Sequence, residues 1–144
     1  MIKKIIVLLI ICTAFIPNKI HPHAEELVKQ EQMTPQELVT YYAKQYGVNQ
    51  ELAHYIAENE SHYVANEKGD LNITCNAKNS PYYGSAVYAR GIYQITRCYH
   101  PDVSDDQAFD ADYNVQYAMQ ILAKGKSSCM REFSTCRDYY HSTN

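Results

Sequence analysis

Four cysteines lie in the second half of this 144-residue chain, at Cys75, Cys98, Cys129 and Cys136. Cys12 lies in the export signal predicted below, so four cysteines remain in the mature chain. An even number of cysteines in an exported protein predicts disulfides, and four cysteines allow three pairings. We favour Cys129 with Cys136, which closes a short local loop, and this choice leaves Cys75 with Cys98; the sequence does not exclude the other pairings. A zinc site is the alternative, but no CxxC pair occurs and the histidines show no ligand spacing. The cysteines therefore predict a small domain held by cross-links.

The first residues have the character of an export signal. Lys3 and Lys4 give a basic start, and a mostly apolar run follows over residues 5–16. This run is shorter than the roughly 18 to 20 residues of a bilayer span and fits the core of a signal peptide. We expect a signal peptide over residues 1–24, a polar tether over residues 25–33, and a mature protein in the periplasm or at the cell wall. Pro22 is unusual three positions before a cleavage site, so an uncleaved membrane anchor is the alternative.

The mature chain is acidic. Three of the 13 basic residues lie in the leader, and the remaining 10 stand against 16 acidic residues, a net charge of about −6. This sign argues against a nucleic-acid binder, which needs a basic surface to meet phosphates. The acidic run over residues 101–112 lacks the regular alternation and closing glutamate of a calcium loop. The sequence thus predicts no nucleic-acid partner, no metal and no other cofactor.

Two helices are predicted at the start of residues 34–144, a segment with the length of a single domain. Thr34, Pro35 and Glu37 form a capping box with proline at the first helical position. Gly47 ends this helix. The second helix starts after Asn49, a good capping residue, and is expected to end soon after Ser61.

The rest of the chain mixes loops with helices. Turn residues are frequent over residues 63–89, where Leu71, Ile73 and Cys75 alternate with polar residues and predict a short strand or hairpin. A third helix is predicted from near Asp110 toward Gly125, and one more short helix in residues 127–140. The predicted fold class is mainly α, with a small loop and β-hairpin insert.

Glu58 and Glu60 lie on different faces of the predicted second helix. Leu52 and Ile56 belong to an apolar stripe, and Glu60 is the next position on it. Glu58 lies roughly 200° around the helix from Ile56, on the solvent side. Desolvation on an apolar face raises the pKa of a carboxyl group, as a general acid near neutral pH requires. Glu60 is therefore a candidate catalytic acid, unless the helix ends early and leaves this side chain in solvent.

Three short segments resemble motifs of one enzyme family. Glu60-Ser61-His62-Tyr63 resembles an ESxF motif, residues 89–96 (ARGIYQIT) resemble AxGLMQI, and residues 109–115 (FDADYNV) resemble FDPxxNI. They occur in the family's order and cover most of the chain from about residue 52 to 122. The chain thus resembles the soluble lytic transglycosylase family of the lysozyme-like superfamily.

The resemblance implies a lysozyme-like helical bundle around a substrate groove, and an enzyme that cleaves the glycan strands of peptidoglycan. Glu60 would protonate the departing oxygen and then take the proton from the 6-hydroxyl of N-acetylmuramic acid, which attacks the anomeric carbon and gives a 1,6-anhydro product. Ser61 would orient Glu60. Gln94 would present its amide to a sugar, and Asn114 would touch substrate or tie its helix to the active-site loops. A buried structural role is the alternative for Gln94.

Tyrosines are the candidate groove walls, because the chain has 14 tyrosines and no tryptophan, and flat rings with a polar tip suit sugar faces. Tyr93 and Tyr113 are the substrate contacts that we favour, with Tyr82, Tyr83 and Tyr88 as further candidates. Most of the other tyrosines are expected to pack in the core.

The chain departs from the family pattern at several positions. Tyr88 stands where the family has the first glycine of GAxG, Ala111 replaces a proline, and Ile121 replaces a frequent tyrosine. The family's later AYNAG segment has no counterpart, and the chain ends instead in CMREFSTCRDYYHSTN. Tyr139 and Tyr140 are the candidates for the missing ring.

Two other functions stay open. A hydrolytic lysozyme of the goose type would add water to its product, with Asp70 as the carboxylate to consider, although a turn aspartate after Gly69 is the simpler interpretation. A catalytically inactive peptidoglycan-binding component of an envelope-spanning secretion or conjugation apparatus is the other. We expect a monomer.

Overall fold

The computed structural model describes residues 33–143, apart from the side chain of Asp70. The predicted signal peptide over residues 1–24 and the predicted tether up to residue 32 lie outside the described residues. None of the helices in the described part of the chain is long and apolar enough to cross a membrane.

Helix α1 spans Pro35–Tyr46 and begins with the predicted capping box. The Thr34 N–H donates to Glu37 Oε2 at 2.8 Å, and the Glu37 N–H donates to Thr34 Oγ1 at 3.3 Å. Gly47 ends the helix in the left-handed region with φ 65°. Both ends of α1 are therefore set by local sequence, because a side-chain cap satisfies free N–H groups and glycine accepts positive φ without strain.

Helix α2 spans Gln50–Ser61, with Asn49 Oδ1 accepting from the Leu52 N–H at 3.0 Å. Its apolar stripe is buried as predicted, with Leu52 and Ile56 in the core. His62 ends the helix in the left-handed region with φ 53°. The helix therefore does not end before Glu60, and the predicted end soon after Ser61 is confirmed.

The insert after α2 is a two-stranded antiparallel sheet. Strand β1 spans Lys68–Thr74 and pairs with β2, Ala86–Arg90, in a register that sets Lys68 opposite Arg90 and Ile73 opposite Val87. The pairing is irregular between Gly69 and Ile73. The predicted hairpin is confirmed, but it begins earlier than expected, so that Asp70 lies within β1 rather than in a turn before it.

Four more helices complete the described chain: α3 at Asp105–Phe109, α4 at Ala111–Leu122, α5 at Lys126–Glu132 and α6 at Ser134–Ser142. Helix α4 is the predicted third helix. The prediction of one helix in the tail was wrong, because Phe133 takes an extended conformation (φ −120°, ψ 120°) that divides this segment into two. Helix α3 was missed, although a box of Ser104 and Gln107 caps it.

Both predicted disulfides are present. Cys75–Cys98 joins the end of β1 to the loop after β2 and packs with Val87 in a small cluster of its own. Cys129–Cys136 joins α5 to α6. The main core lies between α1, α2 and α4 and surrounds the segment of residues 92–95, with one side covered by α5 and α6. The prediction of a mainly helical fold with a small hairpin and two disulfides is confirmed.

Candidate active site

Glu60 is the second-last residue of α2, and its side chain is half-buried, whereas Glu58 is exposed. The Thr135 hydroxyl, on α6, donates to Glu60 Oε1 at 2.7 Å. The two glutamates thus differ as the helical period predicts, and Glu60 lies where α2 meets the C-terminal segment. A carboxyl group in such a place is able to give and take a proton while its orientation is held by a neighbour.

Ser61 ties this end of α2 to the loop after β2. Its side chain is buried, and its hydroxyl donates to the Ile92 carbonyl at 2.8 Å. This bond fixes the backbone at Glu60 relative to residues 91–95. Ser61 can therefore influence the orientation of Glu60 through the backbone, by holding the end of α2 against the loop after β2.

Asn114, on α4, holds the loop of residues 91–95 through hydrogen bonds to its backbone and to neighbouring backbone groups. Its fully buried amide nitrogen donates to the Ala108 carbonyl at 2.7 Å and to the Arg90 carbonyl at 3.2 Å, and its oxygen accepts from the Tyr93 N–H at 2.9 Å. The loop approaches so closely that a Cβ on Gly91 would lie 2.1 Å from the Ala108 carbonyl oxygen. Of the two roles considered for Asn114, these contacts are those of a residue that ties its helix to the active-site loop.

Tyr93 does not form a wall of the substrate groove, contrary to the expectation from the sequence. Its side chain is fully buried, its hydroxyl donates to the Ala53 carbonyl at 2.9 Å, and its ring contacts Phe133 edge-on with centroids 5.9 Å apart. Burial raises the pKa of this phenol well above its ordinary value. A ring with no exposed surface is not available to stack on a sugar, so Tyr93 is a core residue. The sequence misled here because a tyrosine beside Gln94 looks the same whether its ring faces inward or outward.

Gln94 lies against the first residues of the hairpin. Its backbone has φ 50°, and its half-buried side-chain amide donates to the Gly91 carbonyl at 2.7 Å. A Cβ on Gly69 would lie 2.1 Å from Gln94 Oε1, so glycine at that position makes room for the amide. Gln94 is thus anchored at its nitrogen and is only partly enclosed.

The other tyrosines considered for the groove lie in different surroundings. Tyr113 is half-buried and stacks on Tyr117, with ring centroids 6.0 Å apart. The Tyr88 hydroxyl donates to Asp105 Oδ2 at 3.0 Å, Tyr82 packs on the small disulfide cluster, and Tyr83 is exposed. Of the two candidates for the missing ring, Tyr139 contacts Tyr55 of α2, and Tyr140 lies under the Lys126 ammonium group.

A small cavity of about 180 Å³ lies at the opposite end of α2. Its lining includes Leu52, Leu122, Cys129 and Tyr140. Leu52 precedes Glu60 by eight residues, which is roughly 12 Å along a helix axis. The cavity is therefore separate from the surroundings of Glu60.

An ion pair between buried Arg90 and partly exposed Asp105 supports the loop after β2. The fully buried Arg90 side chain donates to the carbonyls of Ile95 and Val103 at 3.0 Å and to Asp105 Oδ1 at 2.9 Å. Burial alone would raise the pKa of Asp105, but hydrogen bonds from Arg90, Arg97 and Tyr88 hold it below its usual range. The sequence does not show which aspartate of residues 101–112 meets Arg90, because only the fold brings the two side chains together. Within the described residues, no cluster of His, Cys, Asp and Glu side chains could hold a metal ion.

The family comparison agrees with the motifs. The family model described as Transglycosylase SLT domain matches residues 37–139, which include α1, α2, the hairpin and the helices up to α6. No curated protein and no solved structure matches the chain. The matched region contains Glu60, Gln94, Asn114 and Thr135, and it covers well over half of the sequence. The chain belongs to the transglycosylase SLT domain family, within the lysozyme-like superfamily.

Proposed function

We propose that this protein is a peptidoglycan lytic transglycosylase that cleaves the β-1,4 bond between N-acetylmuramic acid and N-acetylglucosamine. The observation that carries the proposal is the placement of Glu60. It extends the apolar stripe of α2, it is half-buried, and Thr135 holds its carboxyl group from another helix. Family membership supports action on peptidoglycan, and the half-buried carboxyl group supplies the one chemical group that the reaction needs.

Glu60 acts first as an acid and then as a base. Its proton passes to the glycosidic oxygen, the bond from that oxygen to C1 of the muramic acid breaks, and the N-acetylglucosamine leaves with a 4-hydroxyl. The muramic acid's own 6-hydroxyl then bonds to C1 and returns its proton to Glu60. No water is consumed, so the anhydro product is lighter than the hydrolysis product by one water. Gln94 and Tyr113 are the residues that we propose for contact with the sugars.

A hydrolytic lysozyme is the second candidate enzyme. Ordinary glycosidases use a second carboxylate roughly 5 to 10 Å from the acid. The backbone of Asp70 lies in β1, and this residue is the one to test if water enters the product. An inactive peptidoglycan-binding component is the remaining alternative, and it predicts binding without release.

The proposal is tested by incubating the mature domain with peptidoglycan sacculi and weighing the released fragments by mass spectrometry. We expect 1,6-anhydro muropeptides from the wild type and a loss of at least about 100-fold in Glu60→Gln, the lower range for general acid catalysis. Glu58→Gln is the matched control, since it neutralises an exposed glutamate on the same helix and is expected to retain activity. Reducing ends in place of anhydro ends would contradict the lyase mechanism, and binding without release would contradict catalysis.

We also propose that the protein acts outside the cytoplasm. The two disulfides fit an oxidising compartment, and the family's substrate is found there. Export through a signal peptide cleaved near Ala24 predicts that the N-terminus of the protein recovered from the envelope is Glu25. Recovery of an intact Met1 terminus in the membrane fraction would support the uncleaved anchor instead. A role beside a secretion or conjugation apparatus is compatible with such an enzyme, and a monomer is the state that we expect.

A further inference from the structure

Helices α5 and α6 form a disulfide-linked pair whose second member reaches Glu60. Cys129 on α5 and Cys136 on α6 are both buried and bonded to each other. Thr135 immediately precedes Cys136, and its hydroxyl makes the 2.7 Å hydrogen bond to Glu60 Oε1. The cross-link therefore lies one residue away from a contact to the proposed catalytic acid.

Two aromatic contacts hold the same helix pair against α2 and against the loop after β2. Phe133, in the link between α5 and α6, contacts the buried ring of Tyr93, with centroids 5.9 Å apart. Tyr139, one turn after Thr135, contacts Tyr55 of α2 at 5.3 Å. Thr135 lies between these contacts and beside the disulfide. Contacts to the rest of the fold thus flank Thr135 on both sides along the chain.

We propose that Thr135 is a positioning residue of Glu60 and that the Cys129–Cys136 disulfide holds Thr135 in place. The inference rests on the proposed function, because positioning an acid matters only if Glu60 is the acid. The Thr135 hydroxyl donates a hydrogen bond to Glu60 Oε1 and so restricts the orientation of the carboxyl group. Activity accordingly depends on the tail that stands in place of the family's AYNAG segment.

The first test compares Thr135→Val, which removes the hydroxyl at similar volume, with Thr135→Ser, which keeps it. We expect kcat to fall about tenfold in the valine variant with little change in KM, as for the loss of one hydrogen bond used in the transition state. The serine variant is expected to recover most of kcat. Ser134→Ala is the control, because it removes an exposed hydroxyl from the same turn. Equal kcat values for the valine and serine variants would overturn the proposal.

The second test measures the titration of the Glu60 carboxyl carbon by NMR in the same variants, without substrate. A hydrogen bond to the ionised form favours that form, so its loss in Thr135→Val is expected to raise the pKa of Glu60 and to move the fall of activity at high pH to higher pH. This readout separates the two proposals. A wild type that releases no product would refute the proposed function, whereas a Glu60 pKa that is the same in all three variants would refute the positioning role.

The disulfide is tested by replacing Cys129 and Cys136 together with alanine. We expect the Glu60 titration to shift in the same direction as in Thr135→Val, and kcat to fall, with the helical circular dichroism retained. A wild-type titration and wild-type kcat in the double variant would show that the other contacts of α6 suffice to place Thr135, and would overturn the role of the disulfide.

Discussion

Asn114 links three separate backbone positions around the loop after β2. A single buried side chain bonds to the backbone of Arg90, Tyr93 and Ala108. The loop that carries Gln94 also accepts a hydrogen bond from the Ser61 hydroxyl, and its conformation is therefore stabilised by a residue of α4. A motif residue that resembles a ligand contact in the sequence thus bonds to three backbone groups, as buried polar side chains commonly do.

We expect Asn114→Ala to lower the free energy of unfolding by about 3 kcal/mol, because it leaves buried backbone groups unsatisfied. Urea denaturation measures the change. Asn59→Ala is the matched control: its amide also donates to a backbone carbonyl, that of Tyr55, but on an exposed surface. We expect about 0.5 kcal/mol for this control. Similar losses in both variants would show that the buried network contributes no more than one exposed bond.

Glu60 and Thr135 differ in how far the sequence reveals them. The position of Glu60 follows from the helical period, since Leu52, Ile56 and Glu60 are spaced four apart on one face. Thr135 carries no such sign, because its partner lies 75 residues away along the chain. Thr135 lies next to Cys136 in the sequence, but that position does not predict the hydrogen-bond partner of its hydroxyl.

At the scale of elements, the two disulfides cross-link different parts of the fold. Cys75–Cys98 spans 23 residues and closes the hairpin onto the loop after it, whereas Cys129–Cys136 spans 7 residues between two short helices. A cross-link stabilises a protein mainly by restricting its unfolded chain, and the effect grows with the length of the closed loop. The two bonds are therefore expected to contribute unequally.

We expect replacement of both cysteines of Cys75–Cys98 by alanine to cost about 3.5 kcal/mol, and of Cys129–Cys136 about 2.5 kcal/mol. Thermal unfolding of each double variant, under identical conditions, measures the difference of about 1 kcal/mol. A larger loss from the shorter loop would contradict the loop-length argument. It would show that the shorter disulfide stabilises the protein mainly by preserving folded-state contacts of α6, such as those of Thr135 and Tyr139.

Helix boundaries were predictable where local chemistry sets them. Thr34, Asn49 and Gly47 identify the ends of α1 and the start of α2 in the sequence, because caps and left-handed glycine act over three or four residues. The division of the tail was not predictable in the same way. Phe133 is extended where its ring reaches Tyr93 in the core, and that contact overrides any local preference for continuing the helix.

At the scale of the whole molecule, His100 joins three segments. Its Nδ1 lies 3.0 Å from the Tyr117 hydroxyl on α4, and its Nε2 lies 3.4 Å from Glu132 on α5. Burial lowers the pKa of His100, and this effect exceeds the opposing attraction of Glu132. Burial also lowers the pKa of His54, which lies between Thr40 and Tyr63.

The sign of the resulting pH dependence follows from these two histidines. A folded-state pKa below the unfolded value means that the unfolded chain binds more protons, so stability is complete above about pH 6.5 and is lost as the pH falls. We expect the melting temperature to decrease between pH 7.5 and 5, and His100→Gln to make this decrease shallower. His141→Gln is the control, because His141 is exposed. An unchanged slope in His100→Gln would contradict the assignment.

The sequence by itself determined the helix caps, the apolar stripe that ends at Glu60, the hairpin and the set of cysteines to be paired. The caps, the stripe and the strand pattern depend on residues within a few positions of each other, because the backbone repeat sets which residues share a face. The set of cysteines follows from composition alone. The tertiary structure decided that Tyr93 is core, that Asn114 holds a loop, that Asp105 meets Arg90, and that Thr135 reaches Glu60. Each of these depends on which distant surfaces pack together, and packing is a property of the whole chain that no local pattern contains.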